Sequence, residues 1–128
     1  MITGLAQVAQ RATNLDRAVA FYTTVLGAPP IGRFDPPGLA FFQLGDVRLL
    51  LEANAPSALL YLRVADVRQE YETLRGRGVE FVNPPQLVHT DAEGLFGPAG
   101  KEEWMAFFRD SEGNTVGLAA RRRPTASR

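Results

Sequence analysis

Residues 6–27 decide the fold of this chain, and they read AQVAQRATNLDRAVAFYTTVLG. The first part predicts a strand over residues 5–11, because side chains along a strand alternate between two faces. That alternation places Gln7, Ala9 and Arg11 on one face. A helix that ends at a glycine follows, and strand and helix together open a unit that the chain repeats.

The helix is predicted from its two ends and from its apolar stripe. Thr13 or Asn14 supplies the N-cap, because both side chains can accept from the orphan N–H groups of a first turn. Gly27 supplies a left-handed C-cap, and Pro29-Pro30 prevents the helix from resuming. The stripe, at helical spacing, consists of Leu15, Ala18, Val19, Tyr22 and Leu26.

A β-hairpin is predicted after the helix and after a strand fragment with a turn at residues 31–38. It joins residues 39–44 to 47–53 around Gly45-Asp46, a pair suited to a two-residue turn. Pairing Leu44 with Val47 fixes the register and separates two faces. The apolar face, predicted to carry the helix, holds Phe42, Leu44, Val47, Leu49 and Leu51. The opposite face holds Phe41, Gln43, Arg48, Leu50 and Glu52.

The pattern restarts after a turn-rich break at residues 54–57. A strand at 58–64 leads to an N-cap at Asp66, and the helix that follows has an apolar stripe of its own. Laying Asn14 on Asp66 gives an offset of 66 − 14 = 52 residues, which superposes strand on strand and helix on helix. The two halves therefore indicate an internal duplication. The second stripe consists of Val67, Tyr71 and Leu74.

The last part of the chain predicts four strand segments and a loop. A strand begins at residues 79–82, another covers 86–90, and a final hairpin joins 104–109 to 115–120. The glycine-rich loop at 91–103 contains Glu102 and Glu103, which are interpreted as solvated charge. Residues 121–128, RRRPTASR, are predicted to form a flexible tail.

The composition is that of an ordinary globular domain, with 45% hydrophobic and 22% charged residues. Fourteen basic and fourteen acidic residues cancel, so no overall field favours nucleic acid or a membrane surface. The absence of cysteine excludes disulfides and cysteine-ligated metals. No signal peptide and no apolar run of ~18 residues can be seen. We therefore expect a cytoplasmic protein without nucleic-acid or membrane partners.

Three motifs resemble the vicinal oxygen chelate superfamily of glyoxalases, extradiol dioxygenases and bleomycin-resistance proteins. They read NLDRAVAFYTTVLG, VADVRQEYETLRGRGVEF and FFRDSEGNTVGL, and the resemblance covers residues 5–120. It implies an α+β fold of two βαβββ modules whose curled mixed sheets surround a cavity, and it implies a homodimer. We therefore expect a single glyoxalase-like domain over residues 1–128, with modules at about 1–54 and 58–120.

The resemblance also identifies four cavity positions that hold histidine or glutamate around a divalent cation in metal-dependent relatives. They fall on Gln7, Leu50, Leu59 and Gly117. Glutamine occupies the first position in some glyoxalases, but leucine offers no donor and a strand glycine offers only its carbonyl. Glu52, on the face of Leu50, would add one ligand to Gln7 at most. We therefore expect no metal and no other cofactor.

The remaining cavity residues are a mixture of apolar, aromatic and polar side chains, which suits a small organic ligand. The alternative is that the sheets pack shut and that Leu50 and Leu59 are core residues. Polar groups such as Gln7 and Arg48 would then be costly unless they pair. The predicted ligand-binding residues are Gln7, Arg11, Phe41, Gln43, Arg48, Leu50, Glu52, Leu59, Tyr61, Arg63, His89, Trp104 and Gly117.

Two residues are candidate catalytic bases, His89 and Glu52. His89 is the single histidine, and a histidine at a strand end is also typical of an ordinary surface. His89 and Trp104 bracket residues 91–103, whose glycines would allow this loop to act as a lid over the cavity. The arginines at 121–123 are interpreted as part of the tail rather than as a phosphate site.

The sequence thus favours a metal-free protein of the glyoxalase/bleomycin-resistance type that binds a small organic molecule in the sheet cavity. An alternative is a family enzyme of the lyase, isomerase or dioxygenase type that acts without the usual metal or with a non-standard one. A third hypothesis is an interaction module whose cavity is filled.

Overall fold

The computed structural model describes residues 1–125 and divides into two units. The first unit comprises Met1–Ala58 with Asp110–Asn114, and the second comprises Leu59–Arg109 with the chain from Thr115 onward. Each unit contains one four-stranded mixed sheet. The predicted α+β fold of two βαβββ modules is confirmed.

The first unit has its strands in the spatial order β1-β4-β3-β2. β1 runs parallel to β4, and the other neighbours are antiparallel. The elements are β1 (Gln7–Arg11), α1 (Leu15–Ala20), a π-helical turn (Phe21–Val25), β2 (Pro30–Phe34), β3 (Leu39–Leu44) and β4 (Val47–Glu52).

The helix of the first unit begins and ends where the sequence predicts, but its second half differs. Asn14 is the N-cap, and its Oδ1 accepts from the N–H of Arg17 at 3.1 Å. Gly27 has a φ of 70°, as a left-handed C-cap requires. Between them the helix widens, because the N–H of Leu26 donates to the carbonyl of Phe21, five residues back.

The hairpin of the first unit has the predicted register. Leu44 pairs with Val47, and the pairs continue in step along both strands. The apolar face carries the helix, because Tyr22 contacts the ring of Phe42 across it. The side chains buried on this face include Phe42, Leu49 and Leu51.

The second unit repeats this topology, with the strand order β5-β8-β7-β6. β5 is parallel to β8, and the remaining pairs are antiparallel. The elements are β5 (Leu60–Arg63), α2 (Val67–Gly76), β6 (Gln86–Asp91), β7 (Lys101–Arg109) and β8 (Thr115–Arg122).

The helix of the second unit has the predicted cap and stripe. Oδ1 of Asp66 accepts from the N–H of Gln69 at 3.1 Å, in the same manner as Asn14 in the first unit. Leu74 is buried, and the ring of Tyr71 lies 4.6 Å from that of Phe81. The duplication therefore extends to the capping hydrogen bonds.

Three boundaries in the second unit differ from the prediction: those of the strand at residues 79–82, of the loop at 91–103 and of the tail. Residues 79–82 do not form a strand of the sheet: Phe81 makes a single bridge to Phe108, and Pro84-Pro85 then removes two backbone donors. The loop is shorter than 91–103, because β7 begins at Lys101.

The tail also begins later than the predicted residue 121. β8 continues through Arg121 and Arg122, which pair with Glu103 and Glu102 of β7. Ladder hydrogen bonds and opposite charges both extend this strand. Residues 126–128 of the predicted tail lie outside the described residues. Among residues 1–125, no helix is long and apolar enough to cross a membrane.

Candidate functional site

One face of the first sheet brings together the predicted cavity residues of that unit. Gln7, Ala9 and Arg11 pair in register with Arg48, Leu50 and Glu52. Phe41 and Gln43 continue the same face on the next strand, opposite Leu50 and Arg48. Local alternation thus predicted this face correctly, and the residues on it are Gln7, Ala9, Arg11, Phe41, Gln43, Arg48, Leu50 and Glu52.

The polar groups of this face engage one another. Nε of Arg48 donates to Oε1 of Gln7 at 2.7 Å, and the same guanidinium lies 5.7 Å from the ring centroid of Phe41. The side-chain amide of Gln43 donates to the carbonyl of Gly45, two residues further along the chain, at 2.6 Å. The amide oxygen that would serve as a metal ligand therefore already accepts from a cation.

The second sheet places aromatic rings over its central glycine. Gly117 lies on β8 between Tyr61 of β5 and Phe107 of β7. The rings of Tyr61 and Phe107 meet edge to face, with centroids 5.9 Å apart. A Cβ atom at residue 117 would lie 2.8 Å from the Phe107 ring, so a side chain there would displace the ring.

A concavity of about 310 Å³ lies on this face of the second unit. Its floor is the strand β8, where the small residue Ala119 follows Gly117 on the same face. We call it the second-sheet concavity, and all of its lining residues belong to the second unit. They are Tyr61, Arg63, Phe96, Glu103, Ala119, Ala120 and Arg121.

Asp91 organises one side of the second-sheet concavity. Its carboxylate accepts from Nη2 of Arg121 at 2.6 Å and from the N–H groups of Leu95 and Phe96 at 2.8 and 2.9 Å. The pKa of Asp91 lies below its usual value, and the largest cause is the hydrogen bond from the N–H of Phe96. The N–H of Leu95 and the charge of Arg121 lower this pKa further. One buried carboxylate thus holds both the loop that carries Phe96 and the arginine beside it.

His89 lies beside the concavity rather than in its lining. It pairs with Glu103 in the β6–β7 ladder, and its ring meets the ring of Phe96 edge to face at 6.1 Å. The structure thus brings His89, predicted at a strand end before the loop, close to two lining residues. Leu59 precedes β5 and its side chain is 49% exposed.

Trp104 lies on the opposite face of the second sheet, so its predicted place in the cavity with Tyr61 is wrong. Its Nε1 donates to Oε1 of Glu102 at 3.0 Å, and the guanidinium of Arg122 lies 4.1 Å from its ring centroid. These residues border a smaller concavity at the start of α2. Glu102 is fully buried, which corrects the interpretation of this residue as solvated charge. A strand that begins at Lys101 sets this alternation.

The sequence did not indicate a buried polar network around Asp110 and Asn114. Tyr22 donates to Oδ2 of Asp110 at 2.7 Å, and Nδ2 of Asn114 donates to the same oxygen at 2.9 Å. Asn114 also donates to the carbonyl of Arg11 and accepts from Ser57, both at 2.7 Å. The pKa of Tyr22 is raised well above its usual value, mainly by burial and further by the charge of Asp110. The hydroxyl therefore remains a donor.

Glu112 completes this turn from the other side. Its carboxylate accepts from Nε of Arg17 at 2.7 Å, from the N–H of Asn14 at 2.8 Å and from Thr13 at 3.0 Å. The pKa of Glu112 is lowered to about 2, and the hydrogen bond from Arg17 is the largest cause. Glu112 therefore links the turn after β7 to the start of α1 through these hydrogen bonds.

The comparisons with known proteins agree with this fold. A model of the Glyoxalase/Bleomycin resistance protein/Dioxygenase superfamily matches residues 4–118. The chain belongs to this superfamily. No curated protein matches the chain by sequence.

Several solved structures resemble the chain over most of its length. UcmS2 has 24% identity and a TM-score of 0.73, over 93% of this chain and 98% of UcmS2. TnmS3, an antibiotic binding protein from Streptomyces sp. CB03234, has 21% identity and a TM-score of 0.72, over 97% and 98%. A lactoylglutathione lyase from Agrobacterium tumefaciens has 22% identity and a TM-score of 0.68, over 93% and 94%. At these identities the likeness shows the fold alone.

The residues that the resemblance places at metal positions do not fit a metal. Gln7 already accepts from Arg48, Leu50 and Leu59 carry no side-chain donor atom, and the aromatic rings close over Gly117. Within residues 1–125, no group of three or more histidine, aspartate or glutamate side chains could hold a metal ion.

Proposed function

We propose that this superfamily member binds a small organic molecule in the second-sheet concavity and needs no metal to do so. The concavity carries the proposal: its volume of about 310 Å³ lies in the range of about 300–1,000 Å³ that small-molecule sites occupy. Its lining combines two aromatic rings, Tyr61 and Phe96, with a few charged groups. Rings offer apolar area, and the charged groups fix the orientation of a ligand.

The lack of donor side chains at the expected metal positions and the aromatic rings of the concavity both favour the binding of a small molecule without a metal. A superfamily site that coordinates substrate through a cation needs donors where this chain has Leu50, Leu59 and Gly117. An antibiotic-binding protein, TnmS3, shares the fold. The missing donors favour binding without a metal, and TnmS3 shows that the fold can serve the binding of a small molecule.

Calorimetric titration of the full chain with a panel of aromatic and amphipathic compounds tests this proposal. We expect saturable, one-to-one binding of at least one compound, and at least tenfold weaker binding by Tyr61→Ala, because the ring contributes apolar contact area. The matched control is Val82→Ala, which removes an exposed apolar side chain of the second unit outside the concavity and is expected to bind normally. No saturable binding to any compound would overturn the proposal.

Metal analysis of the purified protein tests the second half of the proposal. We expect zinc, nickel, manganese and iron far below one equivalent after exposure to each ion, and unchanged ligand binding in the presence of a chelator. A stoichiometric metal, or ligand binding that a chelator abolishes, would contradict it.

We also propose that the protein forms a homodimer. Apolar side chains remain exposed along both sheets, among them Ile31 and Phe34 in the first unit and Val88 in the second. Exposed apolar side chains are available to contribute to an association surface. Analytical ultracentrifugation should give a mass near twice 14.0 kDa, and a monomer at all concentrations would contradict the proposal.

A second candidate function is catalysis without the usual metal. The position of His89 favours it, because the imidazole lies against Phe96 and opposite Glu103 at the edge of the concavity. If a bound compound is also converted, His89→Ala should abolish turnover and leave binding intact. Glu52→Gln is the parallel variant in the first unit. Binding without turnover would favour the first function.

A further inference from the structure

The charges around the second-sheet concavity are distributed unequally between two arginines. Arg121 is engaged by two carboxylates: Asp91 accepts from it at 2.6 Å, and Glu103 lies 3.8 Å from its Nε. Arg63 also lines the concavity, it is exposed, and no carboxylate among residues 1–125 lies within 4.0 Å of it. The guanidinium of Arg63 is therefore available to a ligand.

The position of Arg63 places this charge beside an aromatic wall. Arg63 is two residues from Tyr61 on β5, so both side chains project from the same face of the sheet. Arg63 pairs with Ala119 in the ladder, and both residues line the concavity. The ring of Phe96 borders the same space.

The floor of the concavity suits a flat molecule. The β8 residues that line it include Ala119 and Ala120, whose side chains are short. The ring of Phe96 and the ring of Tyr61 line the same concavity. A planar ring system can lie over such short side chains and contact the rings of Tyr61 and Phe96.

We propose that the ligand is a planar aromatic compound of one or two rings that carries a carboxylate or similar anionic group. The rings contact Tyr61 and Phe96, and the anionic group accepts a bidentate hydrogen bond from Arg63. The volume of about 310 Å³ is at the lower end for small-molecule sites, which sets the size limit. This inference rests on the proposed function, because it names the chemical class that the same concavity takes.

A matched set of three naphthalene probes tests the inference on the full chain. The probes are 2-naphthoate, its neutral isostere 2-naphthamide and the cation 2-naphthylmethylammonium, each titrated by calorimetry at low salt. We expect 2-naphthoate to bind about tenfold more tightly than 2-naphthamide, and the cation to bind more weakly than either, as a charge-assisted hydrogen bond predicts. Added salt should reduce the preference for the anion.

Variants assign that preference to Arg63. Arg63→Gln should bring the affinities of 2-naphthoate and 2-naphthamide together and leave the affinity for the amide unchanged. Arg68→Gln is the matched control, since Arg68 is also an exposed arginine of the second unit but lies outside this concavity. It should keep the full preference. Thermal unfolding of both variants verifies that they fold.

The outcomes separate this inference from the proposed function. Equal binding of the anion and the amide, or a preference that survives in Arg63→Gln, overturns the inference and leaves ligand binding standing. Tightest binding of the cation also overturns it and points to Glu103 instead. Failure of all three probes, while another compound of the panel binds, overturns the inference alone. Failure of every compound overturns both.

Discussion

The hydroxyl of Tyr22 donates a 2.7 Å hydrogen bond to Oδ2 of Asp110, 88 residues further along the chain. Both residues are buried, and both belong to the first unit. Asp110 stands in the FFRDSEGNTVGL motif and Tyr22 in NLDRAVAFYTTVLG, two of the motifs by which the sequence resembles its superfamily. In this chain, the hydrogen bond between Tyr22 and Asp110 joins the π-helical turn to the turn that follows β7.

Removal of the Tyr22 hydroxyl is expected to destabilise the protein. Tyr22→Phe leaves the buried carboxylate of Asp110 without one of its donors, which should lower the free energy of unfolding by about 1–3 kcal/mol. Urea denaturation measures the change. Tyr61→Phe is the matched control, because the Tyr61 side chain is 54% exposed, and it should be nearly neutral. An unchanged midpoint for Tyr22→Phe would show that the hydrogen bond contributes nothing.

Protonation of Glu112 is expected to weaken the protein in acid. The folded-state pKa of Glu112 is lowered to about 2 from its ordinary value of 4.5. A lowered carboxyl pKa contributes stability that is fully present above pH 4.5 and is lost as the pH falls toward 2. The contribution is at most roughly 3 kcal/mol, because each pKa unit corresponds to about 1.4 kcal/mol.

Glu112→Gln tests this pH dependence. The variant should be less stable than wild type at pH 7 and should lose less stability between pH 5 and pH 2, as measured by urea denaturation at each pH. The control is Glu72→Gln, at an exposed helical pair 3.9 Å from Arg75, which should keep the wild-type profile. A Glu112→Gln profile parallel to that of wild type would contradict the assignment.

A side chain at residue 117 is expected to disturb the second sheet. In Gly117→Ala the new Cβ would lie 2.8 Å from the ring of Phe107, and a forced shift of packed rings costs about 1–3 kcal/mol. Because Phe107 contacts Tyr61, ligand binding should also weaken. Gly32→Ala is the control: Gly32 is another strand glycine, and its Cβ would meet open space. Thermal unfolding and titration follow both effects.

Removal of the Asp91 charge is expected to loosen the loop that carries Phe96. Asp91→Asn keeps the shape of the side chain, but one of its two terminal atoms no longer accepts from Leu95 or Phe96. Hydrogen exchange at these two amides should become at least several-fold faster. The wild-type loop should loosen in the same way only in strong acid, since a lowered pKa keeps Asp91 charged until the pH falls through its folded-state value. Asp46→Asn, at an exposed turn, should change neither amide.

Interactions between near neighbours in the chain explain what the sequence predicted well. The caps at Asn14 and Asp66 are satisfied by N–H groups three residues later. The register of β3 and β4 follows from a two-residue turn and from strict alternation. Such features need no information from distant segments, so the duplication and the hairpin face with Phe41, Gln43 and Arg48 could be predicted from patterns alone.

Distant pairing explains what the sequence missed. Whether Arg121 belongs to a tail or to β8 depends on Glu103, which lies on another strand. Whether Trp104 faces Tyr61 depends on the register of β7 against β8, since a shift of one residue moves every side chain to the other face. Asp91 is acidic and precedes a glycine-rich loop, but its role depends on Arg121, 30 residues away.

The sequence by itself determined that the chain has two repeated modules, and its three motifs indicated the superfamily. Short-range periodicity suffices for the repeat of strand and helix, whereas the superfamily was inferred from the resemblance of those motifs. The tertiary structure decided which side chains share a concavity and which are already paired. Arg121 is held by Asp91 while Arg63 stands beside Tyr61 without a carboxylate among the described residues, because pairing of β5, β8 and β7 brings residues far apart in the chain together.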